Sequence, residues 1–286
     1  MSRSLLSATG QFTKYDPMDT SSEIREGLVG WFDILGYTSL LRNPDLNYVV
    51  KLIQKTLPTS SERLRQWADS IVTLVPDGRA HGWAEEATKA TSVIVFSDTI
   101  LVTLPILKTD LNEQKLVKWG LFLEEAVVLH FDFFKQGLPI RGAISFGEYY
   151  VNESPPIFAG KPILRAHEVA NSQDWSGSVL TPEAQTEFEN IQSSNASLGK
   201  LLQPYTIRCL PPLKIDQGGD MLCLNWPMAF ADESIRNINI REAVVAMFGK
   251  HNKAIRPVDQ PKIDNTETFI VRSKQKRAES ERGRAS

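Results

Sequence analysis

The run Val29-Gly30-Trp31-Phe32-Asp33-Ile34-Leu35-Gly36-Tyr37-Thr38-Ser39-Leu40-Leu41 constrains this chain more than any other stretch. Apolar residues surround one carboxylate, and a glycine, a Thr-Ser pair and two leucines follow. That is the pattern of a strand, a tight turn and a helix start. Burying an unpaired aspartate costs several kcal/mol, a penalty that a metal ion or a cationic partner offsets.

A second apolar run repeats the pattern. Val93-Ile94-Val95-Phe96-Ser97-Asp98-Thr99-Ile100-Leu101-Val102-Thr103-Leu104 is β-branched on both sides of a Ser-Asp pair, which predicts two strands meeting at a tight turn with Asp98 in it. If neighbouring strands hold Asp33 and Asp98, both carboxylates converge at one edge of a sheet. Hard divalent ions favour such oxygen ligands, one or two carboxylates being completed by water and substrate phosphates. Two ions roughly 3.5–4 Å apart stabilise both the attacking and the leaving oxygen of an in-line displacement. The backbone N–H groups of Leu35 to Thr38, at a helix start, would favour a triphosphate. Phosphoryl or nucleotidyl chemistry is the expectation.

The rest of the chain supplies elements to frame these acids. Residues 1–24 read as a flexible arm, 46–57 and 61–74 as helices, and 76–89 as an irregular insertion. A long helix is expected over 112–136, with Asp110 and Glu113 as a capping pair and Gly137 as its stop. The glycines of Ile140-Arg141-Gly142-Ala143-Ile144-Ser145-Phe146-Gly147 suggest a strand with a bulge or close backbone approach. A helix over 160–174, strands at 179–180, 205–210 and 221–226, a helix opened by Thr181 and a final helix over 236–255 follow. The charged residues from Ser273 onward predict disorder.

With 286 residues the chain can form one large domain or two small ones. A net charge of −2 gives no reason to expect a nucleic-acid or membrane-surface partner. Without a signal-like or membrane-length apolar run, the expected location is the cytoplasm. Cys209 and Cys223 lack CxxC spacing and read as core residues, and His81, His130, His167 and His251 have no metal-ligand spacing.

Phe32-Asp33-Ile34-Leu35-Gly36-Tyr37 resembles the strand-one signature of class III nucleotidyl cyclases. Phe96-Ser97-Asp98 resembles their second metal-aspartate turn, and the stretch from Arg141 to Gly147 and the helix after Gly160 resemble two further family segments in family order. The resemblance implies an α+β cyclase-like catalytic domain, with a mixed antiparallel sheet flanked by helices, over residues 25–270, and a disordered tail over 271–286. It also implies a homodimer with active sites at the interface, Asp33 and Asp98 as catalytic residues, and Asp33, the Ile34 carbonyl and Asp98 as ligands of two Mn2+ or Mg2+ ions. Substrate-side positions are Phe32, Leu35, Gly36, Tyr37, Thr38 and Arg141.

The positions where purine cyclases read the base are Ile94 and Ile157, and the family's transition-state asparagine and arginine align with Leu164 and Glu168. A subgroup fits better. Segments 141–147, 158–168, 224–226 and 265–269 resemble the bacterial pyrimidine cyclases of the Pycsar anti-phage system. This resemblance implies conversion of UTP to cyclic UMP, or CTP to cyclic CMP, for a separate cyclic-nucleotide-activated effector. The competing readings are a catalytically degenerate cyclase fold kept as a nucleotide sensor and a conventional adenylate or guanylate cyclase.

Overall fold

The computed structural model describes residues 4–6, 12–14, 24–43, 45–57, 78–153, 156–214, 219–230 and 239–285. Strands β1 (Ser4–Leu6) and β2 (Phe12–Lys14) pair with each other. The main sheet begins with β3 (Arg25–Ile34). Helices α1 (Tyr37–Leu40), α2 (Leu46–Thr56) and α3 (Arg79–Ala90) come next. The hairpin β4 (Ser92–Phe96) and β5 (Thr99–Pro105), the long α4 (Asn112–Lys135), β6 (Ile140–Glu153), β7 (Pro156–Gly160) and α5 (Lys161–Ser172) complete the half that holds the acids. The other half contains β8 (Ser178–Leu180), α6 (Pro182–Ser194), α7 (Ala196–Leu202), β9 (Thr206–Cys209), β10 (Met221–Leu224), α8 (Ile240–Gly249) and α9 (Gln260–Ala285).

The sheet order is β4-β5-β3-β6-β8-β10-β9, with β7 paired to β6. Only the β6–β8 pairing is parallel among the described strands, so the architecture is α+β with a mixed, mainly antiparallel sheet. β3 lies inside it, between β5 and β6. Its side chains alternate between faces. Leu28, Phe32 and Ile34 belong to the main core that includes the buried face of α4, while Val29 and Trp31 meet Leu101, Tyr149 and Ile163 on the opposite face. Asp33, two residues beyond Trp31, shares that second face with α5.

The β3–β6 register runs unbroken from Arg25 opposite Tyr149 to Ile34 opposite Ile140, so no bulge interrupts it. The close approach expected of the glycines is real. A Cβ on Gly142 would stand 2.5 Å from Trp31 O and 2.7 Å from Ser178 Oγ.

Local signals account for most element ends. Asp45 caps α2 through Tyr48 N–H, Thr181 caps α6 ahead of Pro182, and Gly137 stops α4 with φ +77°. Beyond that stop, three consecutive carbonyls at the end of α4 are covered by one basic segment. Lys250 donates to Lys135 O, His251 to Gln136 O and Lys253 to Gly137 O, at 3.2, 2.5 and 2.7 Å. Cations belong at the negative end of a helix dipole.

Several expectations are corrected. Residues 79–90 are helical rather than irregular, because Ala80, Ala84 and Ala87 supply a buried stripe of small, strongly helix-forming residues. Asp110 does not cap α4. Its carboxylate accepts from Leu107 N–H and pairs at 2.8 Å with the buried Lys118 ammonium, and Leu111 holds the cap position. The helix expected over 236–255 is the shorter α8, residues 236–238 lie outside the described residues, and it is not the final one, since the longer α9 follows it. The helix expected over 61–74 also lies outside them, as does most of the arm over 1–24.

The expected tail is helix as far as Ala285. Arg272 and Lys276 donate to Arg208 O and Thr206 O, and the buried Ser273 hydroxyl bonds Asn225. Backbone acceptors of β9, not an apolar face, thus hold it. Cys209 and Cys223 are free, buried thiols on β9 and β10. No helix among the described residues is long and apolar enough to cross a membrane.

Candidate active site

Asp33 is the penultimate residue of β3 and Asp98 occupies the two-residue loop of the β4–β5 hairpin, where Phe96 pairs with Thr99. Ser97 takes the left-handed conformation the tight loop requires, with φ +55°. The two acids meet because β5 lies beside β3. Asp33 is opposite Thr99, and Ile34 N–H donates to Asp98 O at 2.8 Å. Residues far apart in sequence thus stand one rung apart on a ladder.

Asp33 is half-buried. Both of its side-chain hydrogen bonds fall on Oδ1, from Trp31 Nε1–H at 2.9 Å and Thr99 Oγ1–H at 3.0 Å. Burial lifts its carboxyl above the ordinary range, these two bonds and the Arg141 guanidinium oppose the lift, and the Asp98 charge adds to it. A divalent cation would relieve that repulsion.

Arg141 lies opposite Asp33 on β6. Its guanidinium donates to Gln173 O at 3.1 Å, Asn171 O at 3.5 Å and Asn171 Oδ1 at 2.5 Å, all at the C-terminal end of α5. Its buried Nε has no hydrogen-bond partner among the described residues. Burial lowers its pKa, against the pull of Asp33, Asp174 and Asp98.

Other expected positions divide. Phe32 is fully buried on the opposite face, its ring 5.6 Å from His130, so its side chain belongs to the core and not to a substrate surface. Leu35 N–H is already committed to Pro139 O at 2.8 Å, which removes it from the expected row of free amides. Gly36, with φ +75°, opens a helix of only four residues. Tyr37 packs partly buried against the main core, and Thr38 is exposed. Leu164 is 59% exposed, and Glu168, also exposed, lies 3.8 Å from Arg165.

Trp31, Thr99, His167 and Asn171 stand beside the acids and were not singled out by the sequence. His167 and Asn171 are one helical turn apart on α5, and their side chains hydrogen-bond at 2.7 Å. The i, i+4 spacing was the available signal, but which helix face meets β3 is a tertiary fact.

No group of three or more metal-ligating His, Cys, Asp or Glu side chains gathers among the described residues. Two carboxylates with an oxygen-only donor set fit a hard divalent ion shared with substrate phosphates and do not fit a protein-caged zinc. Asp33 Oδ2, Asp98 and the Ile34 carbonyl are the groups that could hold it.

No protein-family model and no curated protein matches the sequence. Among solved structures, the chain is similar to the adenylyl cyclase CyaB from P. aeruginosa, at 12% identity and a TM-score of 0.38 over 71% of this chain and 94% of that one. It is also similar to the guanylyl cyclase domain of the RhoGC fusion protein from Blastocladiella emersonii, at 13% identity and 0.37 over 72% and 98%. A bacterial light-regulated adenylyl cyclase gives 14% and 0.35 over 79% and 99%. At these identities and TM-scores the likeness carries no argument about activity.

Proposed function

We propose that this protein is a nucleotidyl cyclase that converts a pyrimidine nucleoside triphosphate, UTP or CTP, to its cyclic monophosphate and pyrophosphate. The observation that carries the reading is the placement of Asp33 and Asp98 on adjacent rungs, with Asp33 Oδ1 tied down on the protein side. When bound, Mn2+ or Mg2+ supplies positive charge to the 3′-hydroxyl and the phosphates. The reaction forms a bond from O3′ to the α-phosphorus, breaks the bond to the β-phosphate and releases the hydroxyl proton. Asp33 and Asp98 would hold the cations. The pyrimidine preference rests on Ile94 and Ile157, which lack the polar groups to read a purine. The defence role, the homodimer and the downstream effector follow from the Pycsar resemblance.

The deciding experiment is competition among ATP, GTP, CTP and UTP in one reaction with Mn2+. The expected product is cyclic UMP or cyclic CMP, lost in Asp98→Ala. A purine product would select the conventional cyclase instead. Leu164 and Glu168, both exposed, stand at the positions that align with the transition-state asparagine and arginine of cyclases, and the loss of those two groups supports the sensor as second reading. Tight triphosphate binding with no turnover of any of the four would establish it.

A further inference from the structure

We propose that Trp31 is a positioning residue of the acid pair, turning Asp33 Oδ2 toward a divalent cation, and that His167 holds the indole in place for this task. The inference rests on the cation part of the proposed function, and not on cyclisation.

Trp31 and Asp33 point to the same side of β3 because they are two residues apart. The indole N–H and the Thr99 hydroxyl both donate to Oδ1, so the carboxylate is held by one oxygen and cannot rotate without losing two hydrogen bonds. Oδ2 is left to the site. Outer donors of this kind fix the orientation of a metal-binding carboxylate.

The indole is itself bracketed. The His167 ring stands 4.9 Å away at 70°, and Phe96, stacked on Phe158, stands 5.6 Å away at 76°. His167 is fixed by a chain whose proton positions follow from chemistry. Arg141 only donates, so the Asn171 atom facing its Nη2 is the carbonyl Oδ1. Asn171 Nδ2 must then face His167, and His167 Nε2 accepts from it, leaving the imidazole proton on Nδ1. The chain starts on the residue opposite Asp33 and returns to Asp33 through Trp31. Such a chain of contacts exceeds what packing a tryptophan requires, since an apolar ring would fill the same space without the N–H.

Trp31→Phe keeps the ring and deletes only the donor. Mn2+ binding to the full chain in the presence of inorganic tripolyphosphate, followed by the loss of the free-Mn2+ electron paramagnetic resonance signal, should weaken about tenfold in this variant, with a thermal midpoint close to wild type. His167→Ala should weaken it less. In the wild type, the Trp31 indole N–H resonance should move on Mg2+ titration with tripolyphosphate and stay fixed in Asp98→Ala, a readout that does not depend on the folding of Trp31→Phe. Wild-type affinity in Trp31→Phe, an unmoved indole resonance or no Mn2+ binding by the wild type would overturn the proposal. Trp31-dependent Mn2+ binding without turnover of any nucleoside triphosphate would leave it standing and remove the cyclase reading.

Discussion

Arg141 lies directly across the ladder from Asp33, yet its guanidinium donates to the Asn171 and Gln173 carbonyls at the end of α5 rather than to the carboxylate. The arginine therefore joins helix to sheet while its charge still acts on both acids. Arg141→Met should lower stability by roughly 1–3 kcal/mol, since the helix-end carbonyls lose a charged donor. It should also raise the Asp33 carboxyl further. Urea melts and a carboxyl-detected NMR titration check the two effects. Arg141→Lys should recover little, because an ammonium cannot reach several acceptors in a fork.

Asp33→Asn should stabilise the protein at neutral pH while abolishing metal-dependent turnover. The folded-state pKa of Asp33 is raised, so its contribution is present below the ordinary carboxylate range and is lost as pH rises through the elevated folded value. Above that value, the ionised acid opposes folding. The gain from the amide should shrink as pH falls below the ordinary range, which thermal melts across a pH series would show. A uniform gain at every pH would contradict it.

Glu125, buried in α4 with an Oε2 that finds no partner among the described residues, makes a sharper version of the same test away from the site. Burial first, then the Glu124 and Asp132 charges, push its carboxyl up to about 7. Stability should fall as pH rises from the ordinary glutamate range to about 7, by on the order of 3 kcal/mol. Glu125→Gln should flatten that slope. If the substituted protein keeps the wild-type pH dependence, another group is responsible.

Gly142→Ala should cost about 3 kcal/mol or more. The new methyl would press on the Trp31 carbonyl, the Ser178 hydroxyl and the Phe32 ring, and two of these belong to the strand that carries Asp33. Gly36→Ala should cost less, roughly 1–2 kcal/mol for a left-handed alanine, because Lys253 Cδ stands at an ordinary 3.5 Å. Chemical denaturation of the two variants orders them.

The parts of this structure that were legible in the sequence are those fixed by local periodicity. The β3–α1 turn, the β4–β5 hairpin and the long α4 each carry an alternating or helical apolar pattern closed by a glycine or a tight turn. What escaped has another physical basis. Helix α3 buries alanines, which leave little hydrophobic contrast, and the last turns of α9, beyond the buried Phe269 and Ile270, are held by basic side chains reaching the carbonyls of β9. At the candidate site the two acids were readable as interruptions of apolar runs. Trp31, His167 and Asn171 were not, because their role depends on which face α5 turns to β3. Leu35 was misjudged for a related reason, its amide being claimed by Pro139 from a distant part of the chain.

The single hydrogen bond from Ile34 N–H to Asp98 O means that the gap between the acids is counted in whole residues. Lengthening the Ser97-Asp98 loop by one residue would not spread the carboxylates slightly; it would transfer Asp98 to a different step of the hairpin and a different direction. The spacing behaves like a gear tooth, and variation in chains of this design should accumulate in the loop between β5 and α4 long before it reaches this one.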